Sequence, residues 1–113
     1  MSGLDQPNPI TFVPAKKNDT GKPRWDLLPF DALNSVAQVL EFGANKYAAR
    51  NWEKGLDWGR LLAAALRHLS AWARGHNTDE ESGLPHLAHA ACCVLMLLAS
   101  VQRGVGTDSR GVK

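Results

Sequence analysis

Two histidines, His86 and His89, stand three residues apart, a spacing that puts both imidazoles on one face of a helix. Just before them come three consecutive acids, Asp79, Glu80 and Glu81, and further upstream lies His68. Imidazole nitrogens and carboxylate oxygens are ligands for divalent ions. The mixture suits borderline ions such as Mn²⁺ better than the all-oxygen shell of Mg²⁺. The spacing is neither a zinc-finger nor an HExxH pattern. Two readings stay open on these residues alone: a divalent-metal site, or polar groups and solvated acids completing a helix start.

A second group mixes cations with aromatics: Lys46, Tyr47, Asn51 and Trp52, with Lys22, Arg24 and Trp25 earlier and Arg67 later. A nucleotide needs a flat surface for its base and positive charge for its phosphates, and these residue types supply both. Tryptophan is also a common core residue. Trp72 is assigned to the core on that ground, while Trp52 is open to either role. Glu41 is either a surface charge or a carboxylate turned toward the site.

Three helices must position these groups. Pro29 suits the first turn of a helix, and Asp31 adds negative charge at its positive end. Phe30, Leu33, Val36, Ala37 and Leu40 then recur at helical spacing until the pattern fades around Gly43 to Tyr47. Asp57 is a candidate N-cap for a second helix over about Trp58 to Arg74, ended by Gly75. Its apolar residues cover two adjoining faces, so it is expected to be mostly buried. Ser82 is a candidate cap for a third helix that tolerates Pro85 in its first turn and ends at Gly104. That third helix is apolar almost all round, as in the middle of a bundle or at a subunit interface.

If the second and third helices form an antiparallel hairpin, His68 faces His86 and His89 with the acidic loop close by. The expected organisation is an arm over residues 1–21, a helical domain over 22–104 and a frayed tail over 105–113. Three helices make a thin bundle, so a dimer or tetramer is expected to complete the all-α core.

A chain of 113 residues has room for one core. Its net charge of +2 suits an anionic small ligand and is too weak to imply nucleic-acid binding. The adjacent Cys92 and Cys93 point about 100° apart on a helix, which argues against a bridge between them and for thiols in a reducing compartment. Met1 to Pro14 lacks the basic start and apolar core of a signal peptide. The apolar run Leu87–Ala99 is shorter than the ~20 residues of a membrane span. A cytoplasmic protein without membrane or nucleic-acid partners is expected.

The strings KPRWDLLPFDAL, FGANKYAARNW, LRHLSAW and DEESGLPHLAHA, in this order over about residues 22–100, resemble the phage-type dATP/dGTP diphosphohydrolases. These are relatives of the MazG-like all-α nucleoside triphosphate pyrophosphohydrolases. The resemblance implies a MazG-like bundle that is oligomeric and uses divalent metal, Mn²⁺ or Mg²⁺. It implies hydrolysis of a purine deoxynucleoside triphosphate to monophosphate and pyrophosphate, shaping the nucleotide pool in phage replication. MazG-like enzymes usually carry EExxE and ExxD helices. Here the corresponding places hold Arg67, His68 and Ala71, then His86 and His89, so the usual acids are absent.

On this basis His68, Asp79, Glu81, His86 and His89 are the expected metal ligands, and Glu81 or Glu41 accepts the proton of the attacking water. Lys46 and Arg67 neutralise phosphate charge, while Tyr47, Asn51 and Trp52 hold sugar and base, with Lys22 and Arg24 also on the substrate. An HD-type phosphohydrolase is the alternative enzyme, disfavoured by the lack of a His-Asp dipeptide. A binding module without catalysis is the alternative outside enzymes, and the second helix, with only Arg60, Arg67 and Arg74, gives it little basic face.

Overall fold

Start and stop signals place three helices: α1 (Phe30–Lys46), α2 (Trp58–Ala73) and α3 (His86–Arg103). They belong to a computed structural model that describes residues 13–111. α1 starts directly after Pro29 and carries Asp31 in its first turn. α2 is capped by Asp57, whose carboxylate accepts the Gly59 N–H at 3.1 Å. α3 stops at Gly104, whose left-handed backbone (φ 67) lets Val105 N–H return to the Ser100 carbonyl at 3.0 Å. Among the described residues the only other regular pieces are two 3-10 turns, Trp25–Leu27 and Asn51–Lys54, and two isolated β-bridges. The protein is a small all-α bundle.

α3 is the shared partner, with both α1 and α2 packed on it. α2 and α3 run antiparallel: Asp57 before α2 pairs with Thr107 after α3, while His68 late in α2 meets His86 at the start of α3. The buried residues of these helices are mostly small, with Ala65 and Ala71 on α2 and Ala88 and Ala90 on α3. Val36 and Val39 of α1 close on Ala88 and Cys92 of α3, flanked by Leu40, Leu84 and Met96. The cysteines are free and buried, and burial pushes the Cys92 thiol up to about 11, which keeps it protonated at neutral pH.

Three expectations are corrected. α2 is not mostly buried. A helix with one principal neighbour buries one stripe, so Leu62, Leu66 and Leu69 lie on the outside and Trp72, expected in the core, is 47% exposed. Ser82 does not cap α3, which instead begins after Pro85 without a side-chain cap, because the Ser82 hydroxyl is engaged elsewhere. The tail, expected to fray over 105–113, doubles back on the start of α2. Trp58 N–H donates to the Thr107 carbonyl at 2.9 Å and its indole N–H to the Val105 carbonyl at 2.9 Å, while Ser109 bonds Asp57. Gly106 permits this course, since a Cβ there would collide with the Leu56 carbonyl. Residues 112–113 of that tail and 1–12 of the expected arm lie outside the described residues. Residues 13–21 hold neither helix nor strand and are exposed throughout.

α3 is also long and apolar enough to meet the minimum for a membrane span. It carries His86 and His89 at its start and lies along two helices, which is the setting of a central bundle helix. Near its end Ser100 is wholly enclosed, and its hydroxyl has no hydrogen-bond partner. An unpaired buried hydroxyl costs about 1–3 kcal/mol. Ser100→Ala is therefore expected to stabilise the fold by about 1 kcal/mol, read as a higher urea midpoint at unchanged slope. An unchanged midpoint would mean that the hydroxyl is satisfied in solution.

Candidate active site

The loop from α2 to α3 is folded tightly enough to act as a scaffold. Asp79 N–H donates to the Leu84 carbonyl at 2.9 Å, Gly83 N–H to the Asp79 carbonyl at 2.8 Å, and His86 N–H to the Asn77 carbonyl at 2.9 Å. These bonds hold Asp79 against the first turn of α3. Its Oδ2 accepts the Ser82 N–H at 2.9 Å and the Ser82 hydroxyl at 2.8 Å. Burial alone would raise the Asp79 carboxyl, but the two Ser82 donors outweigh it and hold the group below the usual carboxylate range.

Three imidazoles meet beside this carboxylate. His68 Nδ1 stands 2.9 Å from His86 Nδ1, and the His68 ring stacks on His89 with centroids 4.5 Å apart. Ligand atoms of His68, Asp79 and His86 lie within 4.8 Å of one another, all three residues half-buried. The 2.9 Å between the two Nδ1 atoms is a hydrogen-bond distance, in which one ring nitrogen donates and the other accepts. Two imidazole nitrogens and one carboxylate oxygen are also a donor set that a divalent ion can take.

His89 stands differently. Its Nε2 lies 2.6 Å from Ser82 Oγ and 3.7 Å from Asp79 Oδ2. Ser82 has one hydroxyl proton, and with that proton on Asp79 its oxygen accepts from Leu84 N–H at 3.2 Å and from His89 Nε2. A chain His89–Ser82–Asp79 results, which orients the carboxylate. Burial above all, helped by the neighbouring imidazoles and opposed by the Asp79 charge, presses both His68 and His89 below the ordinary histidine value and so favours neutral rings.

The cluster borders a cavity of about 720 Å³, within the range of small-molecule sites. Glu41, Lys46, Tyr47, Asn51, Trp52, Arg67, His68, Glu81 and His89 all lie on its walls. Asp79 and His86 do not line it and reach it only through their contact with His68. Glu81 is not within the trio; its carboxylate takes Lys46 Nζ at 2.6 Å, closing an ion pair between α1 and the acidic loop. The Lys46 ammonium is raised by that contact and also lies 5.4 Å from the Tyr47 ring centre. Lys22 and Arg24 do not line the cavity, and Arg24 pairs with Asp26 at 2.6 Å. Two residues escaped sequence reasoning. Ser82 was read only as a helix cap, and the Asp-x-x-Ser spacing is the signal that could have shown its turn to Asp79, whereas Arg103, which lies over the Trp52 ring, carried no local signal.

An all-α bundle with an imidazole–carboxylate cluster beside a nucleotide-sized cavity is the class defined by this geometry. Residues 13–110 match the family described as dATP/dGTP diphosphohydrolase, N-terminal, and the chain belongs to that family. A "dATP/dGTP diphosphohydrolase" of Salmonella phage PMBT28 is 35% identical over 94 residues, covering 83% of this chain and 32% of that protein. The chain therefore spans about a third of that relative's length. No solved structure matches the chain.

Proposed function

We propose that the chain hydrolyses purine deoxynucleoside triphosphates, dATP and dGTP, to the monophosphate and pyrophosphate with a divalent ion, Mn²⁺ or Mg²⁺, in the host cytoplasm. Family membership and the printed name of the phage relative support the substrate class. The observation that carries the reading is the convergence of His68, Asp79 and His86 at the edge of a cavity that also holds Lys46 and Arg67.

His68, Asp79 and His86 would hold the ion, which when bound supplies Lewis acidity to the phosphates and acidifies the attacking water. Ser82 and His89 keep Asp79 aimed at that point. Lys46 and Arg67 offset the charge that grows on the phosphate oxygens. Glu81, once Lys46 turns to phosphate, or Glu41, which also lines the cavity, accepts the water's proton. Tyr47, Asn51 and Trp52 receive the sugar and base. Turnover of each deoxynucleoside triphosphate with Mn²⁺, with Mg²⁺ and with chelator tests the reading. Metal-dependent loss of dATP and dGTP, with dCTP and dTTP nearly untouched, is expected; no metal-dependent turnover of any of them contradicts it.

The exposed apolar side chains of α2 and α3, among them Leu66, Leu69, Val94, Leu95 and Leu98, form a patch that a single copy leaves in water. A homodimer or homotetramer covers it. Light scattering is expected to return two or four times the 12.3 kDa of one chain at micromolar concentration, and a mass near 12.3 kDa contradicts the assembly.

A further inference from the structure

Trp52 lies on the cavity wall, on the 3-10 turn between α1 and α2. Arg103, in the last turn of α3, places its guanidinium carbon 5.4 Å from the centre of the Trp52 ring. The Trp52 ring borders the cavity and Arg103 does not line it, so the guanidinium lies outside the space that the ring borders. Glu53 lies beside it, with Oε2 3.7 Å from Arg103 and Oε1 taking Arg50 at 2.7 Å. Arg50 has the left-handed backbone (φ 59) that side chains other than glycine seldom adopt, and the ion pair to Glu53 helps hold it.

We propose that Arg103 is a positioning residue for the nucleobase: by backing the Trp52 indole it fixes that ring as a flat platform for a purine. The proposal rests on the nucleotide reading given above and adds a residue and a basis for purine preference. A planar cation stacked on one face holds the indole in place, which lowers the ordering cost when a base stacks on the other. A two-ring purine covers more of an indole than a one-ring pyrimidine. Lysine cannot replace the plane, although it keeps the charge and the contact with Glu53.

Calorimetric titration of dGMP and dCMP tests this without any need for catalysis. Trp52→Ala is expected to weaken dGMP binding roughly tenfold or more, and dCMP binding less. Arg103→Gln is expected to weaken dGMP about two- to fivefold and leave dCMP nearly unchanged. Arg103→Lys, which keeps the tie to Glu53 and hence the fold, should show most of the same loss. The double variant Trp52→Ala, Arg103→Gln should bind dGMP no worse than Trp52→Ala alone. Unchanged dGMP affinity in both Arg103 variants, additive losses in the double variant, or a lowered melting point as the sole effect would reduce Arg103 to a structural tie. Absence of dGMP binding to the unaltered protein would overturn the platform, whereas failure of triphosphate turnover with dGMP binding intact would overturn only the proposed reaction.

Discussion

Replacing His86 by alanine is expected to leave the three helices in place while lowering Mn²⁺-dependent turnover of dGTP by roughly a hundredfold or more. Loss of a residue that merely orients a ligand costs about 10–100-fold, and in the proposed site His86 is itself a ligand. The backbone should tolerate the change, because the His86 N–H bond to Asn77 does not involve the ring. Asp79→Asn should act similarly, since an amide keeps the shape but loses the charge that an ion needs. Melting with and without Mn²⁺ separates this from a packing role. The ion should raise the midpoint of the unaltered protein by binding its native state, and raise that of the two variants much less. Equal shifts in all three proteins would remove both residues from the metal site.

The second large effect is on pH. Burial first, then the charges of neighbouring imidazoles, hold the folded values of His68 and His89 below the unfolded value of about 6.5. For groups depressed in this way the unfolded chain takes up protons first as pH falls. Their contribution to stability is thus complete above pH ~6.5 and is lost as pH drops through the folded values. Protons compete with the ion in the same window. Mn²⁺ affinity should be flat from about pH 8 to 7, then fall as pH drops through those folded values, approaching tenfold per unit for each imidazole displaced from the ion. A site made of carboxylates alone would hold its affinity down to about pH 4–5. A titration of Mn²⁺ at half-unit steps distinguishes the two, and a flat profile to pH 5 would contradict imidazole ligation.

Helix positions were largely legible because their signals are local. Asp57 caps α2 and Gly104 ends α3 where the sequence places them. The tail was not legible, because its order comes from backbone bonds to residues some fifty positions earlier, and short polar and glycine residues look the same docked or free. Trp72 was misplaced for a related reason: periodicity shows which residues share a face but not whether a neighbour covers it. Within the site, the i,i+3 spacing of His86 and His89 revealed a shared face, and the hairpin supplied His68. The division between them was hidden. His89 bonds Ser82 while His86 meets His68, a difference set by the fold of the acidic loop. Ser82 looked like a helix cap because a hydroxyl before an apolar run usually is one, but here Asp79 and His89 take it. The pairing of Glu81 with Lys46 could not be read from the sequence, because it arises only when α1 meets that loop.

The phosphorus spectrum of dGTP after complete reaction with Mn²⁺ tests the central claim most directly. The resonances of dGMP and pyrophosphate are expected in equal amounts, and are expected to be absent when the same reaction contains His86→Ala at equal concentration and time. Inorganic triphosphate with free deoxyguanosine, or dGDP with single phosphates, would contradict it and point to the HD-type alternative.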